Sequence, residues 1–418
     1  MRTTLRRSIV ALLAATLVLA ACNGDGDAGL DDLGIDDPGT DDDTEVPDAG
    51  DADLLVLGWS ASPAENEALQ AVLDGWPGGE AALTLSSDFE ATLRASLAAG
   101  DPADVFYVDS SRFPDLVAED VLAPVGDRLD DPDDFYESLR AAFTYEGQFF
   151  CPPKDFSILA LQYNTALFEE AGLDAPTTWE ELAETAEALT TDERAGIVIA
   201  PELARLGIFL HQAGGSVLTD DDTSNLQSEA TLEGLRFIER MYSEGWARTP
   251  ADLDAGWSGE AFGQQRAAMT IEGNWIIGAM SNEFPDVEYR AAPLPTGPAD
   301  NTSFVFTVCY GVADGAGDVD AAADLVAYLT STGPMLDFTR DFPVIPSRAS
   351  ARDEWVAANP GTEAYLDAAD DAVSWQFPSG FIPALDEINS VLQGMADGSI
   401  DADTAAERMD QAVTDVLG

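Results

Sequence analysis

Hydrophobic positions in this chain follow two periods, and the switches between them outline the elements. The run DLLVLGWS (53–60) is apolar and closed by Gly58 and Trp59, as a buried strand would be. Residues 65–73 suit a helix, and AALTLSS (81–87) a second strand. Asp88 stands where it would cap the helix FEATLRASLAAG, with Gly100 at the C-terminal end. ADVFYVDSSRF (103–113) is a third strand running into polar residues. Strands and helices in alternation predict a parallel α/β architecture. Ligands of such sheets sit beyond the carboxyl ends of the strands. Trp59 and the cluster Asp109, Ser111 and Arg112 fall at those ends.

The stretch GQFFCPPKDFSILALQYN (147–164) breaks the alternation and holds Lys154, the single lysine of the chain. Pro152 and Pro153 each fix φ at about −65° and withhold an N–H. The residue before each is pushed to extended geometry. An aromatic run before them and the period-2 run Phe156, Ile158, Ala160, Gln162 after them predict strand, stiff joint, strand. Such a joint reads as a crossing between two bodies. Downstream, TALFEEAGL (165–173) predicts a helix closed at Gly172. TTWEELAETAEAL (177–189) predicts another, capped by Thr177 with Glu180 three residues on. AGIVIA (195–200) is a strand of a second body, and ATLEGLRFIERMYSEG (230–245) an amphipathic helix. GEAFGQQRAAMTIEGNWIIGAM (259–280) reads helix, strand, turn, helix, with Asn274 and Trp275 at the turn. NTSFVFTVCYGVA (301–313) is a long alternating strand with Phe304, Phe306, Val308 and Tyr310 on one face. Further helices are predicted over 318–331, 353–370, 381–397 and 401–417.

Charge narrows the function classes. Nineteen Lys and Arg face 78 Asp and Glu among 418 residues, a net charge of −59. Such a surface repels nucleic-acid phosphates and anionic head groups. Most of these acids read as a solvated coat, whose self-repulsion a saline environment would screen. The single histidine, His211 in LGIFLHQAGG, reads as structural at the end of an apolar helix. Three cysteines without CxxC or HExxH spacing predict no metal site, and neither a Walker loop nor GxGxxG follows a strand. No cofactor and no catalytic residue is predicted.

The N-terminus reads as a targeting segment. Arg2, Arg6 and Arg7 precede the apolar core IVALLAATLVLA, shorter than the roughly 20 residues of a membrane span. LAAC, ending at Cys22, resembles a bacterial lipobox, which implies cleavage before Cys22 and a lipid on its thiol; an ordinary signal peptide is the alternative. Loss of the three arginines takes the mature charge to −62. Residues 22–52, rich in Gly, Asp, Pro and Thr, read as a disordered acidic tether.

Four segments carry a family resemblance. ADVFYVDSSRFPDLVAEDVLAPV resembles a strand and helix of the first lobe in the bacterial extracellular solute-binding proteins of ABC importers, family 1, the sugar-binding group that includes maltose-binding protein. PKDFSILALQYNTALFEEAGLDAPTTWEEL resembles that family's hinge crossing and helix pair, and GQQRAAMTIEGNWI its strand and Trp turn. LDEINSVLQGMADGSIDADTAAERMDQAV resembles its closing helices. The resemblance spans about residues 53–418. It implies a periplasmic-binding-protein-like α/β fold: two discontinuous lobes joined by hinge strands, with a ligand cleft between them. The expected division is 1–21 signal peptide, 22–52 tether, 53–155 with about 310–355 as the first lobe, and about 156–309 with 356–418 as the second.

Cleft residues follow from the same resemblance, position by position. Trp59 and Glu65 match the loop after the first strand, and Ser111 and Arg112 a polar pair with Asp109 beside it. Asp155 and Ser157 match the cleft floor; Ser157 stands where maltose-binding protein carries a carboxylate, which argues against maltodextrin itself. Glu202 matches a carboxylate a dozen residues before Gly214 and Gly215. Trp275 matches a sugar-stacking tryptophan, and Phe381 another aromatic position for which Trp375 and Phe377 compete. Carboxylates and arginine suit vicinal hydroxyls, and aromatic rings suit the C–H faces of a sugar. Lys154 either pairs with a neighbouring acid or touches ligand.

The resemblance also sets Cys151 and Cys309 on adjacent hinge strands and implies a disulfide between them; two buried thiols are the alternative. The implied protein is a monomeric, lipid-anchored, extracytoplasmic receptor. It captures a carbohydrate by hinge closure, performs no chemistry on it and delivers it to a membrane permease. Alternatives are the same fold binding a glycerophosphodiester, polyamine or peptide, or a secreted glycosidase using two carboxylates.

Overall fold

The computed structural model describes residues 50, 52–59, 63–219, 221–342, 344–369 and 372–418. The expected signal peptide, Cys22 and the tether apart from Gly50 and Ala52 lie outside the described residues.

Two long strands hold the architecture together. Pro153–Asn164 and Phe304–Ala313 run antiparallel and side by side, from Val305 opposite Ile158 to Cys309 opposite Pro153. The first crossing strand, Pro153–Asn164, gives its early half to that pairing. Its later half pairs with Ala267–Gly273 and Tyr289–Ala292. The second crossing strand, Phe304–Ala313, pairs through its later half with Val105–Asp109. Beyond these lie Leu54–Gly58 and Ala81–Leu85 on one side, and Ala195–Val198 and Ala247–Arg248 on the other. Leu54–Gly58 is parallel to both neighbours, as the strand–helix alternation predicted. The second crossing strand is antiparallel to both of its long neighbours, so the whole sheet is mixed.

Two main cores sit on opposite sides of the crossing. One gathers Leu57, Phe106, Val108, Leu325 and Val326. The other gathers Leu161, Leu182, Phe209, Ile238, Met269 and Ile388. Between them Phe156, Ile158 and Val305 pack with Ile345, Trp355 and Tyr365. The crossing strands are therefore clad by the third chain segment rather than exposed as bare linkers. Cys151 and Cys309 are joined by a disulfide, fully buried, with Cα atoms 5.5 Å apart. It closes a loop with a sequence separation of 158 residues. In the chain-entropy account a loop of that length contributes roughly 4–5 kcal/mol.

Local differences from the sequence reading have simple causes. Pro153 opens the strand instead of preceding it, a position where a missing N–H is tolerated, so the stiff joint shrinks to Cys151 and Pro152. The helix Trp179–Leu189 is capped by Thr178, not Thr177: the Thr178 hydroxyl accepts from Glu181 N at 3.2 Å. Glu181 in turn accepts from Thr177 N (2.8 Å) and Oγ1 (2.6 Å). Asp88 occupies its cap position without a side-chain bond, and Thr92 Oγ1 donates to its carbonyl at 2.9 Å. The helix expected over 353–370 is two, Arg352–Ala358 and Glu363–Asp367, because Pro360 and Gly361 (φ 89°) interrupt it. Helix Thr332–Asp341 was unforeseen; Gly333 and Pro334 disguise its first turn.

Candidate functional site

The floor of the site follows from strand register. Directly opposed residues of an antiparallel pair share a face. Asp109 opposes Val308, Val308 opposes Asp155, and Phe306 opposes Ser157. Asp109, Asp155, Ser157 and the Phe306 ring therefore lie on one face of the sheet, where the two lobes meet. Asp109, Ser157 and Phe306 remain partly exposed there.

The second-lobe wall is built around one guanidinium. Glu202 sits just ahead of helix Leu203–Gln212, yet its carboxylate does not cap the helix; it lies 3.1 Å from Arg205 Nη1. Arg205 also donates to Glu272 Oε2 from Nη2 (3.0 Å) and Nε (3.2 Å). The same oxygen accepts from Trp275 Nε1 at 2.9 Å, and the guanidinium lies 4.9 Å from the Trp275 ring centre. Burial pushes the Glu272 carboxyl above its usual range, while Arg205 and the indole N–H pull it back. Gly273 is required beside this turn: a Cβ there would lie 2.2 Å from the Trp275 ring. From Trp275 an aromatic ladder runs to Phe306 (5.6 Å), Trp375 (5.7 Å) and Phe377 (5.0 Å).

The first-lobe wall is held by shorter-range bonds. Asp109 accepts from Ser111 N (2.9 Å) and Oγ (2.6 Å). Burial raises its carboxyl pKa, and the Ser111 bonds and Arg112 only partly offset that. Arg112 is committed to Asp115 (3.2 Å) and Glu90 (3.4 Å). Trp59 packs edge-on against Phe89 and Tyr107, each at 5.0 Å. The ladder is tied to this wall through backbone: Ser110 Oγ donates to Trp375 O (3.0 Å), and Gln376 Nε2 donates to Ser110 O (3.2 Å).

Glu65 and Asp155 are sealed rather than open, although Asp155 shares the sheet face of Asp109 and Ser157. Both are buried and both pair with Lys154, Glu65 at 3.1 Å and Asp155 in direct contact. The ammonium also lies 4.5 Å from the Phe338 ring centre and 5.3 Å from that of Tyr107. Burial alone would depress the Lys154 pKa; the charges of Asp155, Tyr310 and Glu65 outweigh it, and the net shift is upward. Phe381 is likewise buried, stacked on Phe377 at 4.7 Å, so Phe377 and Trp375 present the open rings. The structure thus sets Asp109 and Ser157 on one sheet face with Phe306, ties Ser111 to Asp109 and joins Glu202 to Trp275 through Arg205, whereas Glu65, Asp155 and Phe381 are buried. Arg205, Glu272 and Phe306 were missed as site residues. Their signals were local: Arg205 lies three after Glu202, Glu272 three before Trp275, and Phe306 opposite Ser157. Among the described residues no group of three or more His, Cys, Asp or Glu could hold a metal ion. These walls offer aromatic faces and oriented carboxylates.

Comparison with known proteins bears on the fold and the family. An arabinooligosaccharide-binding protein of Halalkalibacterium halodurans is 24% identical over 221 residues, 49% of this chain and 47% of its own length. The chain spans about half the length of the curated relatives it matches. Among solved structures, an ABC substrate-binding protein of Listeria monocytogenes in complex with cycloalternan superposes with TM-score 0.76 and 20% identity, covering 87% of this chain and 98% of that one. UgpB of Mycobacterium tuberculosis, in complex with glycerophosphocholine, gives TM-score 0.74 and 20% identity over 86% and 98%. These likenesses identify the fold as periplasmic-binding-protein-like, two α/β lobes about a cleft. The sequence profile described as bacterial extracellular solute-binding protein matches residues 83–364, and the chain belongs to that family.

Proposed function

We propose that this protein is the extracytoplasmic receptor of an ABC importer, taking a neutral carbohydrate between its lobes and presenting it to a membrane permease. The observation that carries the reading is the Glu202–Arg205–Glu272–Trp275 constellation. It offers an indole face whose N–H is already satisfied, beside a carboxylate that is 42% exposed and oriented by arginine. The ring would cover the C–H face of a sugar, and the carboxylate would accept from its hydroxyls. Ser157 adds a neutral hydroxyl on the floor. The Halalkalibacterium relative is named for arabinooligosaccharide binding and the Listeria protein is in complex with cycloalternan, which supports this class. A phosphate-bearing ligand is disfavoured because Arg112, Lys154 and Arg205 are each already paired with carboxylates.

Cys22 would carry the lipid anchor. A Cys22→Ala variant is expected to appear in the medium rather than in the membrane fraction, and a variant that stays with the membrane counts against the anchor. A thermal-shift screen over neutral sugars, glycerophosphocholine and spermidine tests the ligand class. Neutral sugars are expected to raise the melting temperature, without turnover. Stabilisation by spermidine or glycerophosphocholine alone would refute the carbohydrate reading.

A further inference from the structure

Helix Leu203–Gln212 begins beside Glu202 at the cleft and ends at the single histidine. Leu203, Gly207 and His211, spaced four apart, form one face of it. That face lies against the Phe304 ring: a Cβ on Gly207 would meet the ring at 2.8 Å, and His211 sits edge-on to it at 5.3 Å. The eight helical steps from Leu203 to His211 span about 12 Å, the reach of roughly two sugar units.

A cavity of about 400 Å³ runs along this face. One wall is apolar and aromatic, with Leu203, Phe304, Trp375 and Phe377. The other is polar and almost uncharged, with His211, Ser216, Thr219 and Asp222. Pro114, from the first lobe, closes one edge. Trp375 belongs both to this wall and to the ladder leading to Trp275, so the cavity continues the cleft.

We propose that this groove is an extension of the binding cleft and takes the outer units of a neutral oligosaccharide, with His211 and Asp222 as its hydrogen-bonding groups. The inference rests on the carbohydrate reading and adds the length of the ligand to it. Neither the His211 imidazole nor the Asp222 carboxylate has a hydrogen-bond partner among the described residues. Burial lowers the His211 pKa, which Asp300 only partly offsets, so at neutral pH the ring is uncharged and carries one donor and one acceptor. That pair matches a hydroxyl, which also donates and accepts. No lysine or arginine is among the described residues lining the groove, which disfavours an anionic occupant.

The test is titration calorimetry on the full chain with maltooligosaccharides and arabinooligosaccharides of two to six units. In the unaltered protein, affinity for the series that binds is expected to rise with length. His211→Ala should lower affinity for the longest member about tenfold and leave the disaccharide within about twofold. Asp222→Asn, on an exposed turn, should act in the same direction without changing the melting temperature. Equal loss at every length, or no loss in either variant, with sugar binding intact, would overturn the groove alone. Failure of every sugar to bind the unaltered protein would overturn the carbohydrate reading and the groove with it.

Discussion

Two clusters in this molecule have the same kinds of part and opposite exposures. Each holds one cation and two carboxylates, with two aromatic rings about the lysine and one beside the arginine. In the first, the side chains of Lys154, Glu65 and Asp155 are 4%, 5% and 10% exposed. In the second, Arg205, Glu202 and Glu272 are 17%, 42% and 2% exposed. A lysine ammonium is a compact charge that two acids and two rings can enclose. The planar arginine, with five donors, holds one buried carboxylate, lies over an indole and still orients a second carboxylate that stays open. The residue types in the two clusters are therefore no guide to exposure; what separates the sealed cluster from the open one is whether a carboxylate keeps contact with solvent.

Lys154→Met breaks the sealed cluster most severely, leaving two buried carboxylates uncompensated. Denaturant unfolding should show a loss of about 3–5 kcal/mol; a loss under about 1 kcal/mol would mean the sealed cluster is not structural. Replacing Cys151 and Cys309 together by alanine, beside that cluster, should cost about 2–5 kcal/mol while leaving ligand affinity within about twofold. Arg205→Ala tests the open cluster. It should reduce affinity for the most stabilising sugar of the screen by about 10–100-fold, or roughly 1.4–2.7 kcal/mol. It should also cost about 1–3 kcal/mol of stability, since Glu272 loses its main partner. Glu202→Gln sharpens the contrast: about a tenfold loss of affinity with stability unchanged within about 0.5 kcal/mol. An unchanged affinity in Glu202→Gln would remove the open carboxylate from the site.

The smallest effect concerns Asp109, on the floor between the clusters. Its carboxyl pKa is raised by burial, so the folded state holds its proton more tightly than the unfolded chain does. The stability from that preference is present below the unfolded value of about 4 and is lost as pH rises through the raised folded value. Asp109→Asn should therefore flatten the stability profile just above about pH 4. A profile unchanged by the substitution would show that Asp109 is not desolvated.

Local chemistry made most elements legible. The apolar run 54–58 is buried at every position, and Gly100 and Gly172 close their helices in left-handed conformations. The turn at Trp275 was legible because it follows a strand and precedes a helix in one short segment. The family resemblance places Asp155 and Glu65 among the ligand groups. They turned out to be the partners of Lys154, contributed by an early helix and a crossing strand 89 residues apart for the Glu65 pair. Arg205 was passed over because a helical arginine looks like coat until Glu272, 67 residues later, arrives beside it.

By itself, then, the sequence determined the elements, the order of strands and helices, and the stiff approach through Pro152, since all of these rest on interactions within a few residues. Only the tertiary structure decided which acids are sealed and which face the cleft. Burial depends on what packs against a side chain from elsewhere in the chain, and register across the two crossing strands, not spacing along either, puts Asp109, Phe306 and Ser157 on a common face.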